Sequence, residues 1–477
     1  MQLDLTYLHF LGLALLYMAA AGCVVHAIMD TRTAQGAAAW TIGLVSFPFL
    51  ALPLYLLFGR RKFSGYVTAR RLSTKQLRRL ETLGALPNAK EGLKSDVALG
   101  TVQVLESLAT LPFTRGNGAR LLRDGEATFD AILGALDDAK AYALVQFYII
   151  RDDALGQRLA RTLVAAVQRG VAVHLLYDEI GSNRTSKAYF DALAEAGVAV
   201  SSFNDSKRRF QPWQINFRNH RKIVVVDGIK AYVGGHNVGE EYLGHDPHIG
   251  PWRDTHVEVT GPIVAACQAA FYEDWYWAQD ERLPLAWYYE PDKDQDRTAL
   301  VLASGPADRF ETCALFFTQI INAAEQRLWL VSPYFVPDQA ILTALQLAAL
   351  RGVDVRIMIP DKADHRLVWL AAFSYFKEAE ASGIKFYRYT KGFLHQKVFL
   401  VDESLAAVGT ANLDNRSLRL NFEITLLFDD RAFAGEVEAM LDEDFKHCRL
   451  YQNKEAAERS WFFRFGSRAA RLAAPLL

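Results

Sequence analysis

The chain has 477 residues, with 53 lysines and arginines against 54 aspartates and glutamates, and 51% of its residues are hydrophobic. This near-neutral charge argues against a protein that binds nucleic acid over its whole surface, and the hydrophobic content excludes a disordered chain. The four cysteines are widely separated and include no CxxC pair, so a zinc finger, an iron–sulfur site and a disulfide scaffold are not expected. The length predicts about two or three domains.

Two uncharged apolar runs open the chain, at residues 7–29 and 37–58. Each is long enough to cross a hydrocarbon core of about 30 Å as a helix. Because only residues 30–36 separate them, we expect a transmembrane hairpin. Pro48 and Pro53 are predicted to kink its second helix.

Basic residues follow the predicted hairpin, which occupies residues 1–59. Residues 60–79 carry eight lysines and arginines and no acid. The positive-inside rule therefore places the rest of the chain in the cytoplasm, and residues 60–115 are predicted to be a basic juxtamembrane linker. The alternatives are a cleaved signal peptide and a lipoprotein box at residues 20–23. Against them, no basic residue precedes the first run, and the box lies in the middle of it.

Beyond the linker, the same order of strand, helix and strand occurs twice. The predicted strands are residues 145–150, 171–177, 328–336 and 353–359. A helix with leucines on one face separates each pair of strands. This order predicts mixed sheets covered by helices, in two α/β halves at residues 116–295 and 296–450.

A motif of reactive residues is repeated in the two halves. Each copy reads H-x-K-x4-D, and the residues are His220, Lys222, Asp227, His395, Lys397 and Asp402. A pair of small residues follows each histidine at the same offset, and Asn237 and Asn412 each lie seventeen residues after their histidine. These matches predict a duplicated fold in which the two halves share one site.

The chemistry of the repeated residues suits a phosphodiester. Strand alternation places the histidine and lysine of each copy on one face. The lysine ammonium groups and the amides of Asn237 and Asn412 are predicted to bind the phosphate, while one imidazole attacks phosphorus and the other protonates the leaving alkoxide. Asp227 and Asp402 belong to the candidate catalytic motif, but their odd spacing favours a buried structural pair over substrate contact. No metal or other cofactor is expected.

Acidic residues after the motifs are candidates to orient the histidines. Asp254 and Glu423 each open an apolar, strand-like run. Either carboxylate can accept the second ring N–H of a histidine and so select its tautomer.

The end of the chain, residues 451–477, is rich in aromatic residues and arginines. This composition suits a tail at a membrane interface. An ordinary packing helix is the alternative.

Together, these features resemble the phospholipase D superfamily, and within it the membrane-anchored bacterial cardiolipin synthases. The resemblance is carried by both H-x-K-x4-D motifs, by the two-helix N-terminus, and by residues 332–337, 412–417 and 421–423. His236 stands where an apolar residue would be expected. The resemblance implies a duplicated phospholipase D-like α/β fold attached to the bacterial cell membrane as a multi-pass protein.

The same resemblance implies a reaction. One phosphatidylglycerol would lose glycerol to leave a phosphatidyl-histidine, and the glycerol hydroxyl of a second would then attack, giving cardiolipin and glycerol. By analogy, His220 would be the nucleophile and His395 the acid and then the base, although the symmetry of the motifs leaves this order open. Substrate and product lie in the bilayer, nucleic acid is not an expected partner, and the oligomeric state is not predicted. A phospholipase D-type hydrolase is the main alternative; a nuclease and a non-catalytic scaffold are less consistent with the hairpin and the intact motifs.

Overall fold

The computed structural model describes residues 5–31, 33–59, 63, 66, 97–203, 216–247, 249–288, 290–362, 364–452, 455 and 458–477. The predicted basic stretch after the hairpin lies outside the described residues, apart from Phe63 and Tyr66. The chain divides into two compact units. One comprises residues 1–64 and 206–217, and the other comprises residues 65–205 and 218–477.

The first unit contains three helices, α1 (Leu5–Asp30), α2 (Ala34–Ser46) and α3 (Pro48–Phe58). The prediction of a single kinked second helix is wrong, because the chain leaves the helical conformation at Phe47. Proline has no N–H to continue the helical hydrogen bonds, so Pro48 begins a new helix instead of bending the old one. Pro53 is accommodated inside α3.

The helices of the first unit pack around a small buried core that includes Leu44 and Tyr55. His26 Nδ1 lies 2.6 Å from the Tyr55 hydroxyl, which makes this histidine a packing residue. Large apolar side chains of α1, such as Phe10 and Met29, face outward. Among the described residues, the helix at Tyr7–Asp30 is the one that has the length and composition needed to cross a membrane.

The second unit begins with α4 (Leu99–Ala109) and then repeats one α/β arrangement. The first copy contains β1 (Thr114–Arg123), α5 (Asp124–Asp138), β2 (Tyr142–Phe147), α6 (Ala154–Gln168), β3 (Ala172–Tyr177), α7 (Lys187–Glu195), β4 (Ala199–Ser202), β5 (Arg218–Asn219), β6 (Ile223–Val226), β7 (Lys230–Gly234), β8 (Trp252–Arg253), β9 (Thr255–Thr260) and α8 (Ile263–Gln279). The second copy contains β10 (Arg297–Ser304), α9 (Thr312–Ala323), β11 (Arg327–Val331), β12 (Phe335–Val336), α10 (Gln339–Leu350), β13 (Asp354–Pro360), α11 (Arg366–Glu380), β14 (Lys385–Tyr389), β15 (Phe393–Leu394), β16 (Val398–Val401), β17 (Leu405–Gly409), β18 (Leu413–Asp414), α12 (Asn415–Arg419), β19 (Asn421–Asp429) and α13 (Arg431–Phe445). The chain ends with β20 (Cys448–Leu450) and α14 (Trp461–Arg471).

Within the described residues, sixteen strands form one mixed sheet. The two copies meet where β1 pairs antiparallel with β10. From this seam, the order is β1, β9, β7, β6, β2, β3, β4 on one side and β10, β19, β17, β16, β11, β13, β14 on the other, with β20 added at the far edge. The matched order shows that the fold is duplicated about a pseudo-twofold axis.

Each copy has its own apolar core. In the first, Leu155, Leu159 and Leu163 of α6 are buried against the sheet, as the helical spacing predicted. In the second, α4 and α14 join the helices of the copy around a larger core.

The predicted strand at residues 328–336 is divided in the structure. β11 ends at Val331, and the chain resumes as β12, which pairs with β18 instead of with a neighbour of β11. Pro333 offers no N–H, and the Ser332 hydroxyl accepts the backbone N–H of Leu413 at 3.0 Å. The interruption brings β18 and α12 next to the end of β11.

Candidate active site

Each H-x-K motif lies between a short strand that pairs with the other copy and a longer strand that pairs within its own copy. β5 ends at Asn219 and pairs with β19 of the second copy, whereas β6 pairs with β2 of the first. In the same way, β15 pairs with β8, and β16 pairs with β11. His220 and His395 therefore occupy extended links between strands. Their backbone N–H groups donate across the copies, at 2.9 Å to Phe422 and 2.8 Å to Arg253.

Each imidazole contacts a carboxylate from the other copy. His220 Nδ1 lies 2.9 Å from Glu423 Oε2, and His395 Nδ1 lies 2.7 Å from Asp254 Oδ2. All four residues are buried. A carboxylate at Nδ1 favours the tautomer with the proton on that nitrogen, which leaves a lone pair on Nε2. At His395 this Nε2 lies 3.0 Å from Lys397 Nζ. The acids named from the sequence thus meet the histidines, but each acid serves the motif of the opposite copy.

Glu423 is held by several donors besides His220. Thr410 Oγ1 donates to Oε2 at 2.6 Å, and Ser417 Oγ donates to Oε1 at 2.8 Å. Asn421 Nδ2 adds a third bond at 3.1 Å. Burial acts to raise the pKa of this carboxyl, but the charges of His220 and Lys222 and the hydrogen bonds from His220 and Thr410 lower it overall. Glu423 is therefore ionised and rigidly placed against the imidazole.

Asp254 has a different setting. Its Oδ1 accepts the backbone N–H of Thr255 at 2.8 Å, and its other oxygen faces His395. A Cβ on Gly235 would lie 2.0 Å from Asp254 Oδ1. The small residue at this position therefore makes room for the carboxylate, whereas Thr410, at the matching position of the second copy, donates a hydrogen bond to Glu423.

The two motif lysines are buried next to their histidines. Lys222 Nζ donates to the carbonyl of His220 at 2.7 Å, and Lys397 Nζ donates to that of His395 at 2.5 Å. Burial lowers the pKa of Lys222 well below its usual value, and repulsion from Lys397 adds to this effect. Burial also lowers the pKa of Lys397 to about 8. Two ammonium groups that repel each other in a buried site form a receptor for one anion.

The pKa values of both motif histidines lie below the usual value for histidine. Burial lowers the pKa of His220 to about 4, although Glu423 acts in the opposite direction. Burial and the charges of Lys397 and Lys222 hold the pKa of His395 well below its usual value. A bound phosphodiester would offset the lysine charges and raise the pKa of both rings.

The two asparagines differ in the contacts that they make. Asn237 Oδ1 accepts the backbone N–H of Ile149 at 3.1 Å. Asn412 Oδ1 is buried and has no hydrogen-bond partner within the described part of the chain, while its backbone N–H donates to Ser417 Oγ at 3.0 Å. Their role in binding phosphate stays a prediction. Asn237 also stabilises the loop after β2 through its hydrogen bond to Ile149.

Asp227 and Asp402 accept hydrogen bonds from the backbone at the starts of two strands, which argues against a place for them in the predicted catalytic set. Each lies at the far end of a strand, in a turn with positive φ, at 53° and 49° respectively. Asp227 accepts the backbone N–H groups of residues 140, 141 and 142, and Asp402 those of residues 325, 326 and 327. The predicted buried pair is also wrong, because both aspartates are only partly buried and bind backbone. They anchor the starts of β2 and β11.

This structural role predicts that Asp227→Ala destabilises the fold without impairing the reaction. Loss of three accepted N–H bonds and an alanine at positive φ should reduce the free energy of unfolding by about 2 kcal/mol or more. Thermal inactivation of the purified protein measures the loss. Asp227→Asn is the control, because asparagine tolerates this backbone conformation and keeps one acceptor. A large fall in turnover well below the melting temperature would contradict the assignment.

Several residues near the site were missed from the sequence. The centroid of the Tyr148 ring lies 4.9 Å from that of the His220 ring and 5.4 Å from Lys222 Nζ. The middle residues of the two motifs, Arg221 and Gln396, are fully buried and contact aspartates of α8 and α13. A repeated Glu-Asp-aromatic triplet, at residues 273–275 and 443–445, is the signal that points to these aspartates.

His236 is buried behind Asp254. Its Nδ1 lies 3.2 Å from His256 Nδ1, and its ring meets Phe129 edge-on. Burial lowers the pKa of His236 to about 3, so the ring is neutral at physiological pH. The polar residue at this expected apolar position is therefore accommodated by a second histidine, and it displaces no motif residue.

Comparison with known proteins agrees with this geometry. The family described as "Cardiolipin synthase, PLD-like domain" matches residues 132–275 and 317–445, and one described as "Phospholipase_D-nuclease N-terminal" matches residues 19–60. Cardiolipin synthase A of Pseudomonas fluorescens strain Pf-5 is 47% identical, covering 98% of this chain and 97% of that protein. The chain belongs to the cardiolipin synthase family of phospholipase D-like proteins. Cardiolipin synthase A of Pseudomonas putida strain KT2440 is 45% identical over the full length of both chains.

A solved structure supports the fold. Phosphatidylserine synthase of Haemophilus influenzae matches with a TM-score of 0.60 at 15% identity, covering 79% of this chain and 100% of the other. At this identity the match concerns the fold alone. The duplicated phospholipase D-like fold predicted from the motifs is thereby confirmed.

Proposed function

We propose that this protein is a cardiolipin synthase, a phosphatidyltransferase that joins two phosphatidylglycerol molecules through a phosphatidyl-histidine. The observation that carries the proposal is the pair of buried imidazoles, each contacting at Nδ1 a carboxylate of the opposite copy. The relatives named cardiolipin synthase A, which match nearly the whole chain, support this substrate class over others that the fold serves.

In the first step, His220 Nε2 attacks the phosphorus of one phosphatidylglycerol. A P–N bond forms, the P–O bond to the head-group glycerol breaks, and the His395 imidazolium gives its proton to the departing oxygen. Lys222 and Lys397 stabilise the charge on the nonbridging oxygens. Glu423 holds the His220 ring and offsets the positive charge that develops on it.

In the second step, the glycerol hydroxyl of another phosphatidylglycerol takes the place of the first glycerol. His395, now neutral, accepts the hydroxyl proton, the alkoxide oxygen bonds to phosphorus, and the P–N bond to His220 breaks. Cardiolipin leaves, and His395 is again protonated. One phosphodiester replaces another, so the exchange consumes no nucleotide.

Membrane association fits these substrates. We propose that residues 1–59 hold the enzyme in the bacterial cell membrane as a two-span hairpin, with the linker 60–115 and the two halves 116–295 and 296–450 in the cytoplasm. The apolar helix Tyr7–Asp30 supports a membrane anchor. The match at residues 19–60 shows that this N-terminal region resembles the N-terminal region of related proteins. Labelling of single introduced cysteines from either side of intact inner-membrane vesicles tests the orientation.

A phospholipase D-type hydrolase is the competing function, since water in place of the second lipid would give phosphatidic acid. Purified full-length protein in phosphatidylglycerol vesicles distinguishes the two by mass spectrometry of the products. We expect equal amounts of cardiolipin and glycerol, with little phosphatidic acid. Phosphatidic acid as the main product, over a range of lipid densities, would overturn the synthase proposal in favour of the hydrolase.

The enzyme should bind phosphatidylglycerol more weakly at alkaline pH. The pKa of Lys397 is about 8, so this lysine is charged below that pH and neutral above it. Because the neutral amine no longer attracts phosphate, KM for phosphatidylglycerol should rise several-fold between pH 8 and about pH 10. In Lys397→Arg, the guanidinium stays charged, so the part of the rise in KM that comes from residue 397 should disappear. An unchanged alkaline limb in that variant would exclude Lys397 as its cause.

A further inference from the structure

The C-terminal helix α14 is apolar on two opposite sides. On its inner side, Phe463 packs against Trp369 and Phe373 of α11, with ring centroids 5.9 and 5.3 Å apart. Ser467 is buried, and its hydroxyl donates to a carbonyl of α11 at 2.7 Å. This side accounts for the attachment of the helix to the second copy.

The outer side of α14 is also apolar. Trp461 and Phe465 stack 5.2 Å apart at 12° and are each 60% exposed, while Phe462 and Leu472 are 79% and 84% exposed. At about 100° per residue, Trp461, Phe465 and Leu472 fall within roughly 40° of one another around the helix. A surface helix normally presents polar residues here, so an aromatic strip of this kind indicates a binding surface.

Arginines border this aromatic strip. Arg464 and Arg468 are exposed, and neither pairs with an acidic side chain in the part of the chain that the structure describes. No acidic residue follows Glu458 in the sequence. The surface that covers the strip therefore has to supply both apolar contact and negative charge.

We infer that α14 is a membrane-docking helix that binds the surface of a bilayer containing anionic phospholipid. The aromatic strip would enter the region between head groups and acyl chains, and Arg464 and Arg468 would contact lipid phosphates. A second copy of the chain fits less well, because a symmetric contact would bring the same arginines face to face. The inference concerns binding and does not depend on the proposed reaction.

Docking at α14 would also hold the site at a set position above the membrane. After α14, the chain ends at Leu477, whose carbonyl oxygen accepts the Arg416 backbone N–H at 2.9 Å. The next residue on α12, Ser417, donates to Glu423, the partner of His220. The segment that follows the docking helix is thus linked, through backbone and two hydrogen bonds, to the carboxylate that contacts His220.

Spin labelling of the full-length protein tests the inference. A nitroxide at Phe462→Cys, in a background with the two less buried cysteines replaced by serine, is compared with one at Ile229→Cys, a 56% exposed position in the β6–β7 turn. In nanodiscs of phosphatidylglycerol and phosphatidylcholine, we expect the label at 462 to collide with oxygen several-fold more often than with a water-soluble nickel complex. The label at 229 should show the reverse.

The charge contribution has its own control. Arg464→Gln combined with Arg468→Gln should lower the ratio of docked to undocked label by about fivefold per arginine. Nanodiscs of phosphatidylcholine alone should give a similar loss without any substitution. Neither readout requires catalysis, so failure here and failure of the synthase assay are distinguishable.

Two results would overturn the inference. A label at 462 that is as accessible to nickel as the label at 229, in anionic nanodiscs, would show that α14 remains in water. Strong dipolar coupling between labels at 462 on different molecules would show instead that a second copy covers the strip. Trp461→Ala and Phe465→Ala should each lower the ratio of docked to undocked label. Phe310→Ala, at an aromatic residue of another surface that is 55% exposed, should leave this ratio unchanged.

Discussion

His220→Ala is expected to lower cardiolipin formation by at least about 10⁴-fold and to abolish the covalent intermediate. In the proposed mechanism His220 supplies the lone pair at Nε2, since Nδ1 is engaged by Glu423, and alanine offers no nucleophile in its place. Mass spectrometry of acid-free, rapidly denatured protein measures the adduct, and lipid analysis measures turnover. His447→Ala, a part-exposed histidine whose ring meets Tyr389, is the matched control and should retain activity.

The order of the two histidines is tested by the opposite variant. In His395→Asn, the nucleophile is intact but no acid protonates the leaving glycerol. A phosphatidyl ester of nitrophenol needs no such proton, so this substrate should still load His220, and the adduct should then accumulate because no base activates the acceptor. An adduct on His395 in the His220→Ala variant would reverse the two roles.

Glu423→Gln is expected to lower kcat by about 10²–10⁴-fold with a small change in KM. The glutamine amide can donate to Nδ1 of His220, which moves the ring proton to Nε2 and removes the attacking lone pair. The loss should persist with the nitrophenyl ester, because attack itself is impaired. Turnover of both substrates by detergent-purified protein gives the comparison.

Asp254→Asn should behave differently, because Asp254 contacts His395, the proposed acid–base group, instead of the proposed nucleophile. In Asp254→Asn, the nitrophenyl ester should largely restore formation of the phosphatidyl-histidine, while transfer to the second lipid remains slow. Glu436→Gln, at a glutamate that pairs with Arg297 away from the motifs, is the matched charge control. Equal responses of the Glu423 and Asp254 variants to the activated ester would contradict the division of roles.

The repeated motifs made the fold class and the groups proposed to react readable from the sequence. His220 and Lys222, like His395 and Lys397, follow from local spacing and from a repeat that is independent of any contact. The leucines of α6 are likewise a local pattern, and the structure reproduces their burial. Pro48 also gave a local signal, but whether a proline bends a helix or starts a new one depends on the residues packed around it.

The tertiary structure decided how the two copies share the site. Glu423 is 203 residues from His220, and Asp254 is 141 residues from His395. Which acid meets which imidazole depends on the pairing of β5 with β19 and of β8 with β15, and no local propensity specifies these pairings. The contacts of Asp227 and Asp402 likewise depend on tertiary structure, because the backbone N–H groups that they accept belong to the starts of β2 and β11. Residue type and spacing thus determined which chemistry we propose for the chain, whereas the register between copies determined which of the proposed groups lie together.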